Sequence, residues 1–246
     1  MLTVSSTETR GNLFLYLFFA ALALELLFIS IGYDMARYFS KPLLMLILGA
    51  YFMSNTVLST RWRAFVIAAL AFSWLGDILL MFESREPLFF LFGLSAFLLA
   101  HICYILFFHR VRAAEQVKSR AWLLIIVAIY YASLITFLYP YLGGMKIPVP
   151  VCGIVISFML LLALHLFFIP NRQAGLLMLS GAVLFVISDS ILAINKFYRP
   201  FNGAGLLIML TYGLAQFFIV RGAILYARSV VAIPAAKAGL SSASKL

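Results

Sequence analysis

Residues 184–197, LFVISDSILAINKF, decide the fold. The stretch has the run of apolar residues expected of a membrane helix, broken by one acid, Asp189, about a turn and a half from its polar end. A charged side chain at membrane depth costs at least ~2.5–3.5 kcal/mol on insertion scales, so an acid kept there marks a functional site. Lys196 lies two helical turns further on, on roughly the same face and ~10 Å nearer the water. Residues 73–81, SWLGDILLM, repeat the theme: a small residue, then Asp77, then an apolar run. The two stretches together predict an all-α membrane scaffold that brings Asp77 and Asp189 to one site.

The composition agrees. The chain has 246 residues, is 65% hydrophobic and only 11% charged, where a soluble domain has about 25% charged residues. It is a polytopic membrane protein forming a single integral membrane domain. The net charge of +10 does not imply a nucleic-acid partner, because basic residues in such chains gather in cytoplasmic loops and touch anionic lipid. Cys103 and Cys152 both sit in apolar runs and have neither a disulfide framework nor metal-ligand spacing. Near the N-terminus, Ala21-Leu22-Ala23 mimics a signal peptidase site. The apolar run continues past it to Ile31, so a retained first helix is expected.

Eight spans follow from the rule that ~20 residues cross a bilayer: 12–31, 43–59, 65–81, 88–108, 121–140, 150–169, 175–194 and 205–226. The tail 229–246 is rich in Ala and Ser and reads as disordered. Of the 18 Lys and Arg, twelve fall at the termini and in the loops after spans two, four and six, and six in the other loops. That bias puts both termini in the cytoplasm. Spans three and seven then run outward, with Asp77 and Asp189 both ~6–8 Å inside the outer boundary. Leu75-Gly76-Asp77 echoes Ile187-Ser188-Asp189, and Leu99-Ala100-His101 echoes Leu214-Ala215-Gln216. The echo reads as two parallel four-helix repeats about an axis along the membrane normal.

Two carboxylates in a low-dielectric pocket cannot both ionise easily, so the pair can supply one acid and one base at neutral pH. The bland alternative is that each Asp merely hydrogen-bonds a neighbouring helix. Tyr212 lies ~10 Å into span eight, near the acids, with Gln216 one turn deeper on the same face. His101 lies ~20 Å into span four, too deep to touch the acids unless that helix bends or starts late, and Tyr104 is deeper still. Glu25 lies ~9 Å below the outer end of span one, where it can join the site or pair with another polar group. His109 and His165 fall near cytoplasmic ends, which argues against a three-His metal site. Lys41, Lys196 and Arg199 are basic residues on the outer side, suited to phosphate. Lys196 is the cation nearer Asp189 and favours Asp189 as the anionic partner. Gly76 leaves space beside Asp77.

In order along the chain come Lys41-Pro42, Ser73-x-x-Gly76-Asp77, Ala100-His101-x-x-Tyr104, Ile187-Ser188-Asp189 with Leu192-Ala193-Ile194-Asn195-Lys196-Phe197, and Tyr212-x-x-Ala215-Gln216. This series, over residues 41–221, resembles the YhhN-like transmembrane family, whose animal members are lysoplasmalogenases. The resemblance implies eight transmembrane helices and hydrolysis of the vinyl ether bond of lysoplasmalogens. The products would be a fatty aldehyde and glycerophosphoethanolamine or glycerophosphocholine. Asp77 and Asp189 are the expected catalytic residues. Lys41, Ser73, His101, Tyr104, Ser188, Asn195, Lys196, Tyr212 and Gln216 would be substrate-binding.

The chemistry suits the residues. An enol ether is cleaved by protonating its β carbon, which needs a neutral carboxylic acid, and a carboxylate can stabilise the oxocarbenium ion and orient water. No metal or cofactor is called for. The Ser and Thr residues near the acids lack an evident His partner, which argues against a serine hydrolase. An intramembrane aspartyl protease also uses two membrane acids. Here, however, Leu75 precedes Gly76, the acids are four spans apart and no Pro-Ala-Leu motif follows. A proton-coupled lipid carrier without chemistry is the third class. The partners expected are a lysophospholipid and the surrounding lipid.

Overall fold

The structure, a computed structural model, describes residues 2–56 and 61–243. Among these, eight α-helices and no strand occur: α1 (Leu2–Ile31), α2 (Asp34–Asn55), α3 (Arg61–Met81), α4 (Pro87–Ala114), α5 (Ala121–Leu138), α6 (Pro148–Leu166), α7 (Arg172–Ala193) and α8 (Ala204–Ala243). Seven helical segments of the described residues are long and apolar enough to cross a bilayer. The apolar side chains continue onto the outer surface: on α5, Leu124, Ile125 and Ile129 are all exposed. Lipid tails are as apolar as leucine, so these positions need no cover. The molecule is a polytopic helical membrane bundle.

Most helices fall where the hydrophobic runs put them. The exception that matters is α2, expected at 43–59 and found at Asp34–Asn55. Its first turns carry Asp34, Arg37 and Lys41, which a hydropathy rule assigns to a loop. They are helical because α1 ends in a tight turn that hands the chain straight to α2. Gly32 adopts φ +69°, Tyr33 N–H bonds Phe28 C=O at 2.9 Å, and Gly32 N–H bonds Ile29 C=O at 3.3 Å. This is the glycine-terminated helix end in which two orphan carbonyls are satisfied at once. Residues 57–59 of the expected second span lie outside the described residues.

At the other end, α8 runs on to Ala243, through most of the stretch expected to be disordered. Alanine, the best helix former, is frequent there. The helix α7 continues beyond the expected end at 194 as a π-helical turn, Ile194–Tyr198.

The main pairings are three sequential hairpins, α1 with α2, α3 with α4 and α7 with α8, and the non-sequential pair α4 with α6. Two four-helix repeats would make the three hairpins, and so would any up-and-down bundle. The helices α7 and α8 approach each other closely at two glycines. A Cβ added at Gly181 would sit 2.7 Å from Ala215 O, and one at Gly222 would sit 2.9 Å from Ala174 O. Small residues that let backbones touch are the usual means of holding membrane helices together, since no hydrophobic effect operates between them. Further contacts among buried Phe18, Leu48, Phe108, Met178 and Phe185 fill the centre of the bundle.

Candidate functional site

A cavity of about 460 Å³ opens among the helices. It is lined from α2 to α8: Asp34, Arg37 and Lys41 of α2, Asp77 of α3, Phe97 of α4, Tyr130 and Leu134 of α5, Cys152 and Ile156 of α6, Ser188 and Asp189 of α7, and Tyr212 of α8. The polar groups come mainly from α2, α3, α7 and α8, while Leu134, Ile135, Leu138 and Ile156 make an apolar side on α5 and α6. Glu83 and Ser84 of the α3–α4 link also line it, so the end of the cavity next to that link carries charges of both signs.

Asp77 is held from two sides. Tyr212 Oη donates to its Oδ2 at 2.7 Å, and Lys41 Nζ lies 3.4 Å from its Oδ1. One turn deeper, Gln216 Nε2 donates to Ser73 Oγ at 2.9 Å, and Tyr104 Oη donates to Gln216 Oε1 at 2.5 Å. Ser73 and Asp77 are four apart on α3, and Tyr212 and Gln216 four apart on α8, so two antiparallel helices meet rung by rung. All five side chains are buried. The ring of Tyr212 is fixed edge-on between Phe97 at 5.7 Å and Phe185 at 5.5 Å.

Asp189 has different neighbours. Its side chain keeps 36% of its exposure, and it lines the cavity. Its Oδ2 lies 3.8 Å from Nε2 of buried His101, a nitrogen with no hydrogen-bond partner among the described residues. That is too long for a hydrogen bond. The imidazole is wedged at 4.6 Å against Phe185, the same ring that supports Tyr212. Beside Asp189, Ser188 Oγ donates to Ile208 C=O at 3.0 Å and Ser190 Oγ stands 2.7 Å from Tyr130 Oη.

Residues 36–223 match the family model of the YhhN family. The chain belongs to the YhhN family. Among curated proteins, this YhhN-family chain is 32% identical over 165 residues to a lysoplasmalogenase of Mycobacterium bovis, covering 66% of this chain and 61% of that protein. It is 31% identical to Lysoplasmalogenase TMEM86A of Bos taurus, over 65% of each chain. With Lysoplasmalogenase TMEM86B of Homo sapiens it shares 33% over 158 residues, 63% of this chain and 62% of the other. The matched part thus spans a little under two thirds of each relative's length. No solved structure matches.

Asp77, Asp189, Lys41, Ser188 and Tyr212 line one cavity. Ser73, Tyr104 and Gln216 form the buried layer beneath Asp77 and Tyr212. Five expectations need correcting. His101 is not too deep to meet Asp189, since the π-helical turn carries α7 four residues past the expected end at 194 and so sets Asp189 ~6 Å deeper. Lys196 does not line the cavity: its Nζ pairs with Glu83 Oε2 at 3.2 Å and lies 4.8 Å over the Phe90 ring. The cation beside an acid is Lys41, and the acid is Asp77, so the inference that Lys196 favours an anionic Asp189 loses its ground. Asn195 also stays out of the cavity, and its Oδ1 caps the following turn by accepting from Phe201 N–H at 3.1 Å. The space expected beside Gly76 is filled by the Phe97 ring, 2.7 Å from where a Cβ would stand.

The sequence reading missed Arg37, Tyr130, Ser190 and Cys152 among the lining residues. Arg37 had a signal: it precedes Lys41 by one helical turn, so the two share a face once α2 is extended backward. Tyr130 is among the few polar positions of α5. Cys152 has no such mark.

Proposed function

We propose that this YhhN-family protein is a membrane hydrolase that cleaves the vinyl ether of lysoplasmalogens, with Asp77 and Asp189 as its acid–base pair. The observation that carries the reading is the sharing of one cavity by both acids, polar on one side and apolar on the other. The names of the relatives supply the substrate class. A lysolipid matches such a cavity: its chain suits the α5–α6 side and its head group the charged end near Arg37 and Glu83.

The roles follow from the neighbours. Asp77 receives a donor from Tyr212 and faces the Lys41 ammonium, both of which favour a carboxylate. Among the described residues no lysine or arginine pairs with Asp189. We assign Asp189 as the neutral acid that protonates the β carbon of the vinyl ether. The developing oxocarbenium ion is stabilised by the Asp77 carboxylate, which also orients a water for attack at the α carbon. The added water gives a proton to the Asp77 carboxylate. The hemiacetal then breaks its bond to the glycerol oxygen, which takes that proton from Asp77, while the hemiacetal hydroxyl gives its proton to Asp189 as the aldehyde forms and so restores the acid. One water is consumed overall.

Mass spectrometry of purified protein given an alkenyl lysolipid tests the reading. Release of fatty aldehyde is expected. Unchanged lipid moved across a vesicle wall would point to a carrier, and cleaved peptide to a protease. The charge bias of the loops supports termini in the cytoplasm and the charged end of the cavity on the opposite side. A reporter fused after Tyr226 should be active only in the cytoplasm, and one inserted after Ser84 only outside; the reverse pattern overturns this sidedness.

A further inference from the structure

Glu25 is the charged residue that this chemistry leaves idle. It is fully buried, on α1, and does not line the cavity. An ionised carboxylate survives such burial only when it is paired and hydrogen-bonded. Arg37 Nε meets Glu25 Oε1 at 3.2 Å, and Ser40 Oγ donates to Glu25 Oε2. The turn at Gly32 makes this meeting possible by folding α2 back along α1. Arg37 lines the cavity, and its Nη1 also reaches Asp34 Oδ1 at 3.0 Å. That second acid is different in kind: its side chain is 78% exposed.

Arg37 therefore has one fixed partner behind it and one exchangeable partner in front. A guanidinium has five N–H donors, and two are used by these acids. The three that remain make no hydrogen bond among the described residues. A planar fork held from behind with donors to spare is suited to bidentate capture of a phosphate. Around it the cavity offers a second cation, Lys41, and two further carboxylates, Asp34 and Glu83. An isolated anion would be repelled by those carboxylates, whereas a zwitterion would not. The head group of an ethanolamine or choline lysolipid carries a phosphate and an ammonium a few bonds apart.

We propose that Arg37, positioned by Glu25, takes the phosphate of a zwitterionic lysolipid head group, and that Asp34, released from Arg37, takes the ammonium. This rests on the reading of a lysophospholipid as substrate. It makes Glu25 a positioning residue and Arg37 and Asp34 the residues that select the head group. Glu25 and Asp34 precede the family match at 36–223, while Arg37 lies inside it.

Binding is measured with lipids that lack a vinyl ether, so that nothing is turned over: an acyl lysophosphatidylethanolamine, a lysophosphatidic acid, a monoacylglycerol of the same chain, and inorganic phosphate. The wild-type protein should prefer the lysophosphatidylethanolamine to the monoacylglycerol by about tenfold or more, the size of one charge-assisted hydrogen-bond pair. Replacing Arg37 alone would strand a buried acid and risk misfolding. The variant of choice is the double Glu25→Gln, Arg37→Gln, which keeps a neutral hydrogen-bonded pair. It should bring the preference close to unity with monoacylglycerol binding unchanged. Asp34→Asn, at an exposed site, should weaken lysophosphatidylethanolamine and strengthen lysophosphatidic acid. Retention of the phosphate preference by the double variant overturns the proposal. Inorganic phosphate binding as tightly as the lysolipid does so too, because it would make this a free-phosphate site. Aldehyde release from an alkenyl lysolipid is assayed in parallel. Release without a phosphate preference sinks the clamp and spares the hydrolase, and a preference without release does the reverse.

Discussion

Asp77 and Asp189 line the same cavity but live in different surroundings. Asp77 is buried, faces a lysine, accepts from a tyrosine and stands on a further layer of Ser73, Gln216 and Tyr104. Asp189 is part-exposed and faces an imidazole nitrogen across 3.8 Å. Chemically the residues are identical, and the proposed mechanism gives them opposite tasks because their environments differ. A carboxylate with a cation and a donor is held ionised, and one without a cation in a low-dielectric site is free to carry its proton.

The hardest blow to this contrast is to remove each acid in turn. Asp77→Asn and Asp189→Asn should each lower kcat for aldehyde release by about 10²-fold or more, with the protein still inserted. The double variant should be little worse than either, because groups acting as a unit are non-additive. Near-wild-type release by either single variant would falsify the pairing.

Lys41→Met is the next largest change. It leaves the Asp77 side without its ammonium and should cost about tenfold in kcat, the worth of roughly 1.4 kcal/mol of lost stabilisation. The loss should be seen in the wild-type background and vanish when Lys41→Met is placed on Asp77→Asn. An equal loss in both backgrounds would mean that Lys41 acts elsewhere.

A comparable effect belongs to Tyr212→Phe, which keeps the ring between Phe97 and Phe185 and deletes one donor. A hydrogen bond to a charged acceptor is worth about 1.5–3 kcal/mol, so a fall of about tenfold or more is expected. A rise in KM with kcat untouched would reassign the hydroxyl to substrate binding.

The smallest effect tests the corrected cation. Lys196→Ala removes an ammonium that pairs with a part-exposed Glu83, and such exposed pairs contribute ~0–1 kcal/mol. KM for a phosphate-bearing lysolipid should change by less than about twofold. A large rise restores Lys196 to the head group.

Much of this was legible beforehand. Asp77, Asp189 and Tyr212 stand out in an apolar sequence because the membrane makes polar groups expensive. The fold follows from the same hydrophobic runs. What stayed hidden depends on where helices begin and end. Counting from a hydropathy boundary left Asp34, Arg37 and Lys41 in a loop, and so hid the face they form on α2. The same counting set His101 too deep, because nothing in residues 194–198 announces a π-helical turn. The partners of Lys196 and Asn195 were beyond reach for another reason. A helical register fixes direction along one element, but which acid or amide a side chain meets depends on the packing of a different one.

The close contact of α7 and α8 has a mechanical consequence. Where Gly181 and Gly222 let the backbones touch, the two helices have no slack to slide or splay. Asp189 and Tyr212, carried one on each, must therefore travel as one rigid blade. An alanine at either glycine would act as a shim driven into that blade. It would tilt α7 against α8 and alter the clearance between the two acids, although neither glycine touches the cavity. The aperture of this site is set from outside it.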